Sequence, residues 1–159
     1  MLNIQTELKF AYEDLGYNFL ILNDTTSFFG YASFLLEKEN GDIVLYRLHI
    51  GDIVSINIED GENFAMIRAI FCHQKNDVRF AFIIVDWFEG LNQKILGCPV
   101  YRLIRGPKNN WRRVFSINLV NTSNIVHFVH SCKDEECDEG DHDTRNDLYL
   151  RNLYFFKAI

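Results

Sequence analysis

The apolar positions of this chain fall into short runs separated by turn-forming pairs, and within the runs they recur with a period of two. Val54, Ile56 and Ile58 alternate with Ile53, Ser55 and Asn57, which predicts a strand. Asn40-Gly41 lies between two β-like runs over 31–50, and that pair supplies the positive φ angles of a type I′ turn, so a hairpin is expected there. Asp60-Gly61 leads into a return strand, "FAMIRAIF", and "QKND" (74–77) turns again into "VRFAFIIVDWF" (78–88). In that last run Phe80, Phe82 and Ile84 share one face while Ala81, Ile83 and Val85 share the other. A strand apolar on both faces is covered on both, which places it at the centre of a small barrel or sandwich.

Further strands are expected at 17–22, 100–104, 114–120 and 125–130. After an acidic loop, Asp143 or Thr144 can cap a closing helix with Leu150, Leu153 and Tyr154 on its packing face. The expected class is mainly β: a small distorted β-barrel of short antiparallel strands over residues 1–143, with a C-terminal helical segment, 144–159, packed on it.

Composition narrows the partners. The 159 residues hold 14 Phe, 7 Tyr and 2 Trp, and flat rings pack well on pleated surfaces. Net charge is −6, so a duplex nucleic acid is not the leading partner, whereas basic peptides are drawn to an acidic surface. The basic cluster is Arg102, Arg105, Lys108, Arg112 and Arg113, read either as a solvated loop or as a phosphate contact. The first ten residues carry no secretory pattern and no apolar run approaches a membrane span. A nuclear or cytoplasmic, non-secreted setting is therefore expected. There Cys72, Cys98, Cys132 and Cys137 would be buried thiols or metal ligands.

The stretch "GDIVSINIEDGENFAMIRAIFCHQKNDVRFAFIIVDWFE" resembles the opening of a bromo-adjacent homology (BAH) domain. Gly51, Asp52 and Val54 match the first strand of that family, Phe64 heads the next, and Val85, Trp87 and Phe88 match the strand that ends Val-x-Trp-aromatic. The later "VYRLI" and "IVHFVHSC" extend the likeness more weakly, and the family's Arg-Pro-Glu after the Trp is missing, because Glu89, Gly90 and Leu91 follow Phe88. The resemblance implies a chromatin module that binds histone tails or other proteins and, in some members, reads methyl-lysine. Carried over by residue, the peptide-binding cage would be Phe64, Trp87 and Glu89, with Phe88 as an alternative wall. Ring faces and a carboxylate suit a methylated ammonium, each cation–π contact contributing roughly 0.5–2 kcal/mol. Glu59, Asp60, Glu62, Asp86 and Glu89 would steer a basic tail, and Trp87→Ala would abolish binding with the fold intact.

A second signal is "HFVHSCKDEECDEGDH" (127–142). His130 and Cys132 share a strand face, and with Cys137 and His142 they could close a structural tetrahedral Zn²⁺ site, His127 being a substitute ligand. Its spacing is not that of a common zinc finger, and Cys132 could equally be a buried strand residue. No nucleophile elbow, phosphate-cradling glycine loop or His-Glu-x-x-His helix is present, so no enzyme is expected. The expectation is a BAH-like module for a basic histone-tail peptide, with methyl-lysine as its candidate mark. The alternatives are a non-catalytic interaction scaffold of the same fold, in which the zinc cluster and the C-terminal helix present a surface to subunits of a protein complex, or a nucleic-acid accessory domain of a larger, mobile-element-like protein. The last would use Arg105, Lys108, Trp111, Arg112 and Arg113.

Overall fold

The structure is a computed structural model that describes residues 3–18, 25–58, 61–106, 111–123, 126–131 and 148–154. Its spine is one long antiparallel hairpin, β5 (Gly61–Lys75) and β6 (Val78–Ile95), joined by Asn76 and Asp77 at φ 48° and 63°. Both residues tolerate that region, and two positive φ angles match the twist of the flanking strands. At about 3.3 Å per residue the pair is far longer than a typical strand, so it must curl to enclose a core. The curl starts at a register shift between Ile67 and Ala69, where Arg68 is the extra residue, and a second irregularity lies between Gly90 and Lys94.

Because the hairpin bends, each strand changes neighbour along its length. β4 (Ile53–Ile58) pairs with the first part of β5, and β1 (Thr26–Phe29) with its last part. β8 (Val114–Ser116) pairs with the first part of β6, and β7 (Cys98–Ile104) with its second part. β10 (Leu148–Arg151) adds to β7 and β9 (Phe128–Ser131) closes the edge, so the eight strands form a curled half-barrel. A separate two-stranded ribbon, β2 (Tyr31–Glu37) with β3 (Ile43–His49), lies against it.

The double-sided reading of β6 is borne out. Ile83 and Val85 join Val54, Ile56, Ile67 and Phe115 in one core, packed by Ala32, Phe34 and Leu48 from the ribbon. Phe82 and Ile84 face a second core whose lid is a helix, α1 (Ile4–Asp14), through Leu8, Ala11 and Tyr12. The strand pattern did not foresee this helix. Asn3 caps it, its side chain accepting from the Thr6 N–H at 3.3 Å, and Leu8, Ala11, Tyr12 and Leu15 recur at helical spacing. One Glu7 carboxylate oxygen accepts the backbone N–H groups of Arg113 (2.5 Å) and Val114 (2.8 Å), tying α1 to the start of β8. Tyr12 Oη and His73 Nδ1 lie 2.5 Å apart beneath it, both buried.

Four expectations are corrected. Residues 148–151, read as part of a closing helix, form β10; Leu148, Tyr149 and Leu150 pair with β7 on one side and β9 on the other, so two neighbours satisfy the backbone where a helix would have to satisfy itself. Leu153 and Tyr154 are exposed rather than on a packing face, and 144–147 and 155–159 lie outside the described residues. The ribbon turn has only Gly41 at positive φ (83°), with Gly41 N–H bonded to Lys38 O, so it is a longer loop with a glycine bulge and not type I′. The strand expected at 114–120 stops at Ser116 and passes into a 3₁₀ turn, Ile117–Leu119, because the Ser116 hydroxyl accepts the Asn118 N–H. Tyr17 and Asn18 are not in a strand, and the rest of the expected 17–22 strand lies outside the described residues.

The turn from β6 into β7 places Leu96 (φ 51°) and Gly97 (φ 79°) in left-handed conformations, a pairing that normally takes Asn or Gly first. Leu96 is 88% exposed, so no packing offsets the steric cost. Leu96→Asn is therefore expected to raise the unfolding free energy by about 0.5–1 kcal/mol; a urea melt showing no gain or a loss would contradict this account of the turn.

Candidate functional site

The acidic-aromatic stretch that ends the apolar run of β6 is placed by strand alternation. Ala65 pairs with Trp87, so their side chains share a face, and Phe64 and Phe88 lie on the other. Trp87 is 9% exposed and belongs to the core between the sheet and the ribbon. Its indole N–H donates to the Arg112 carbonyl at 2.6 Å and its ring meets Phe115 edge-on at 5.4 Å. Phe64 and Phe88 are buried in a separate aromatic cluster with Leu103 and Tyr149. There Phe88 stacks on Phe128 at 4.8 Å, and the Arg151 guanidinium sits 4.5 Å over the Phe64 ring.

Phe64 and Trp87 therefore look in opposite directions through the sheet. Glu89, half-buried and opposite Arg102 in the ladder, follows Trp87 on its face by alternation. The expected cage of Phe64, Trp87 and Glu89 is not assembled: only Phe64 and Phe88 come together, and both are sealed beneath other rings. The physical reason is the apolar content of both faces, which draws each aromatic into whichever core lies on its side.

Asp86, expected to steer a basic tail, is instead a structural anion. It is 2% exposed. One carboxylate oxygen accepts from Arg113 at 2.5 Å and from the Gly106 N–H at 3.0 Å, and the other faces Arg68 Nε at 2.9 Å. Arg68 reaches it because the β5 bulge turns that residue toward the neighbouring strand. A buried carboxylate held by two guanidiniums and an N–H is a satisfied group, and its charge is not presented to a ligand.

The same network absorbs the basic stretch. Arg113 Nε donates to the Val85 carbonyl, and Arg112 binds Asp14 on α1 (2.5 Å), donates to the Val114 carbonyl and lies 4.5 Å over Phe115. Both arginines hold α1, β6 and β8 together. Trp111 is partly exposed beside them, Arg105 is half-buried, and Lys108 lies outside the described residues. For the expected zinc site, His130 sits on β9 with its ring 4.8 Å from Tyr149, while Cys132, Cys137 and His142 lie outside the described residues. His127 Nδ1 is 3.3 Å from the Asn152 amide nitrogen. Among the described residues no group of three His, Cys, Asp or Glu side chains is placed to hold a metal.

Surface clefts are present among the described residues. One of about 550 Å³ lies at the ribbon tip between Glu37, Glu39, Tyr46 and Thr122, and one of about 350 Å³ lies beside the β6 irregularity at Asn92, Lys94 and Tyr101. Neither is lined by Phe64, Trp87, Phe88 or Glu89. What the strand pattern missed is the outer face of the ribbon. Tyr31, Ser33, Leu35 and Glu37 pair with His49, Arg47, Leu45 and Ile43, and all eight are exposed. The signal was available, because β2 and β3 carry apolar residues at both parities and only one face can meet the sheet. No family model matches the chain, and no curated protein or solved structure matches it either.

Two substitutions test these placements. Trp87→Ala is expected to cost about 3–5 kcal/mol of stability, as a buried aromatic does, instead of sparing the fold; an unchanged urea midpoint would contradict the burial of the indole. Asp86→Ala strands Arg113 in a nearly dry site and is expected to cost about 3 kcal/mol, while Arg68→Met, at a partly exposed position, costs about 1 kcal/mol or less. Equal losses in the two variants, measured in the same melts, would mean that Arg113 is not the dependent partner.

Proposed function

We propose that this chain is a non-catalytic protein-interaction module on a BAH-like barrel, and that it docks through the outer face of the β2–β3 ribbon. The observation that carries the reading is one of exposure. Leu35 and Ile43 are each 68% exposed, Tyr31 59% and Leu45 57%, side by side on one face of a two-stranded ribbon whose other face is packed on the core. Scattered apolar residues need no explanation, but a contiguous patch of this kind marks a contact surface. Burying each would contribute up to roughly 1.5–2 kcal/mol, given that these side chains are already partly covered.

Two further points support a binding role over catalysis. The buried titratable groups Asp86 and His73 are engaged in holding strands and helix together. The interaction side of the reading also accords with the ordered motifs from Gly51 to Phe88, which resemble those of a chromatin-associated binding module. A histone-tail contact through Phe64 and Trp87 is not part of the proposal, since the two rings belong to different cores.

A photo-crosslinking residue in place of Leu35 tests the reading in cells. Protein adducts are expected at position 35 well above those at Val78, which is 52% exposed at the β5–β6 turn and serves as the control. Adducts no more frequent at 35 than at 78 would refute docking through the ribbon.

A further inference from the structure

We propose that the outer face of the ribbon is covered by the same face of a second copy of this chain, stacked across a twofold axis with the strands antiparallel. This rests on the docking reading above and names its partner.

The argument is the order of residues along the face. Leu35 and Leu45 are directly opposite in the ladder and form the middle rung. One rung toward the turn is Glu37 with Ile43, and one rung toward the base is Ser33 with Arg47. The two outer rungs are equally far from the leucines, since each is two residues away along a strand. A twofold axis through the leucine rung and along the hydrogen-bonding direction lays leucine on leucine and brings Glu37 of each copy diagonally opposite Arg47 of the other. The long arginine side chain is suited to the gap, because sheets stack about 10 Å apart. Arg47 is already directed along this face, with Nε 3.4 Å from Ser33 Oγ and its guanidinium 5.8 Å from the Tyr31 ring.

Charge also selects between the possible twofold arrangements. An axis parallel to the strands would bring Arg47 of each copy diagonally opposite Arg47 of the other, and Glu37 opposite Glu37, which is repulsive. Of these two arrangements the antiparallel stack is the self-complementary one, as an isologous interface requires. Beyond Glu37 the turn carries Glu39 and Asp42 with Lys38, so that end stays net negative. The four apolar side chains offer roughly 400 Å² per copy, and with the polar rim on both sides the interface reaches roughly 1,000 Å², the size at which specific contacts begin. A dimer of that size is weak and concentration-dependent.

Sedimentation equilibrium of the whole chain from about 1 to 200 μM tests it, a range suited to an interface of this size. The mass is expected to climb from 18.7 kDa toward twice that value. Leu45→Lys should weaken association at least tenfold with an unchanged melting temperature. Glu37→Arg and Arg47→Glu should each weaken it by about tenfold, because every charge pair occurs twice in the dimer, and the double variant should recover it. A chain that stays at 18.7 kDa throughout, or a dimer indifferent to Leu45→Lys, or a charge swap that fails to recover association, overturns the proposal. If the chain is monomeric yet position 35 crosslinks to other proteins, the second copy is refuted while docking stands; without adducts above the control, both fall.

Discussion

A strand that is apolar on both faces has to be covered on both, and β6 imposes that demand on everything around it. Phe82 and Ile84 need a lid on one side, and α1 with Val114 supplies it. Ile83, Val85 and Trp87 need one on the other, and β4, the ribbon and Phe115 supply that. The sheet curls because its central hairpin is too long to stay flat over a core this small. Covering both faces leaves no ring of the central hairpin's aromatic stretch at the surface, so residues that read as an open binding rim become the seam between two cores.

The one charged group driven into that seam shows how the constraint is met. Asp86 sits between Ile84 and Phe88 on a strand with no polar face, and it is tolerated because Arg68, Arg113 and the Gly106 N–H converge on it. Each partner comes from a different part of the chain: a bulge on β5, the approach to β8, and the loop after β7. The ionic cluster therefore ties together elements that the hydrophobic effect alone would leave free to slide, since apolar packing has no direction. Arg112 extends the tie to α1 through Asp14, and Glu7 returns it to the backbone of Arg113 and Val114.

The ribbon is the place where the demand is left open. Its inner face contributes Ala32, Phe34 and Leu48 to the core, and its outer face carries Tyr31, Leu35, Ile43 and Leu45 into water. A two-stranded ribbon alone is marginal, so it depends on the half-barrel behind it, and its outward leucines add nothing to that attachment. Their exposure, side by side on one face, is not explained by packing among the described residues.

The sequence by itself determined the central strands and where the chain turns between them, because a period of two and the Asn, Asp and Gly pairs act within a few residues. The ribbon, β4, the double-sided β6 and the turn at Asn76-Asp77 were all legible in that way. Helix α1 was legible too, in Asn3 and the spacing of Leu8, Ala11, Tyr12 and Leu15, but the strand pattern drew attention elsewhere. Only the tertiary structure decided which face of each strand met which neighbour. That choice separated Phe64 from Trp87, committed Asp86 to arginines 18 and 27 positions away in sequence, and made a strand of Leu148–Arg151. Parity along a strand says that two side chains point apart, but what waits on each side depends on partners brought in by the folded chain, and those contacts leave no local trace.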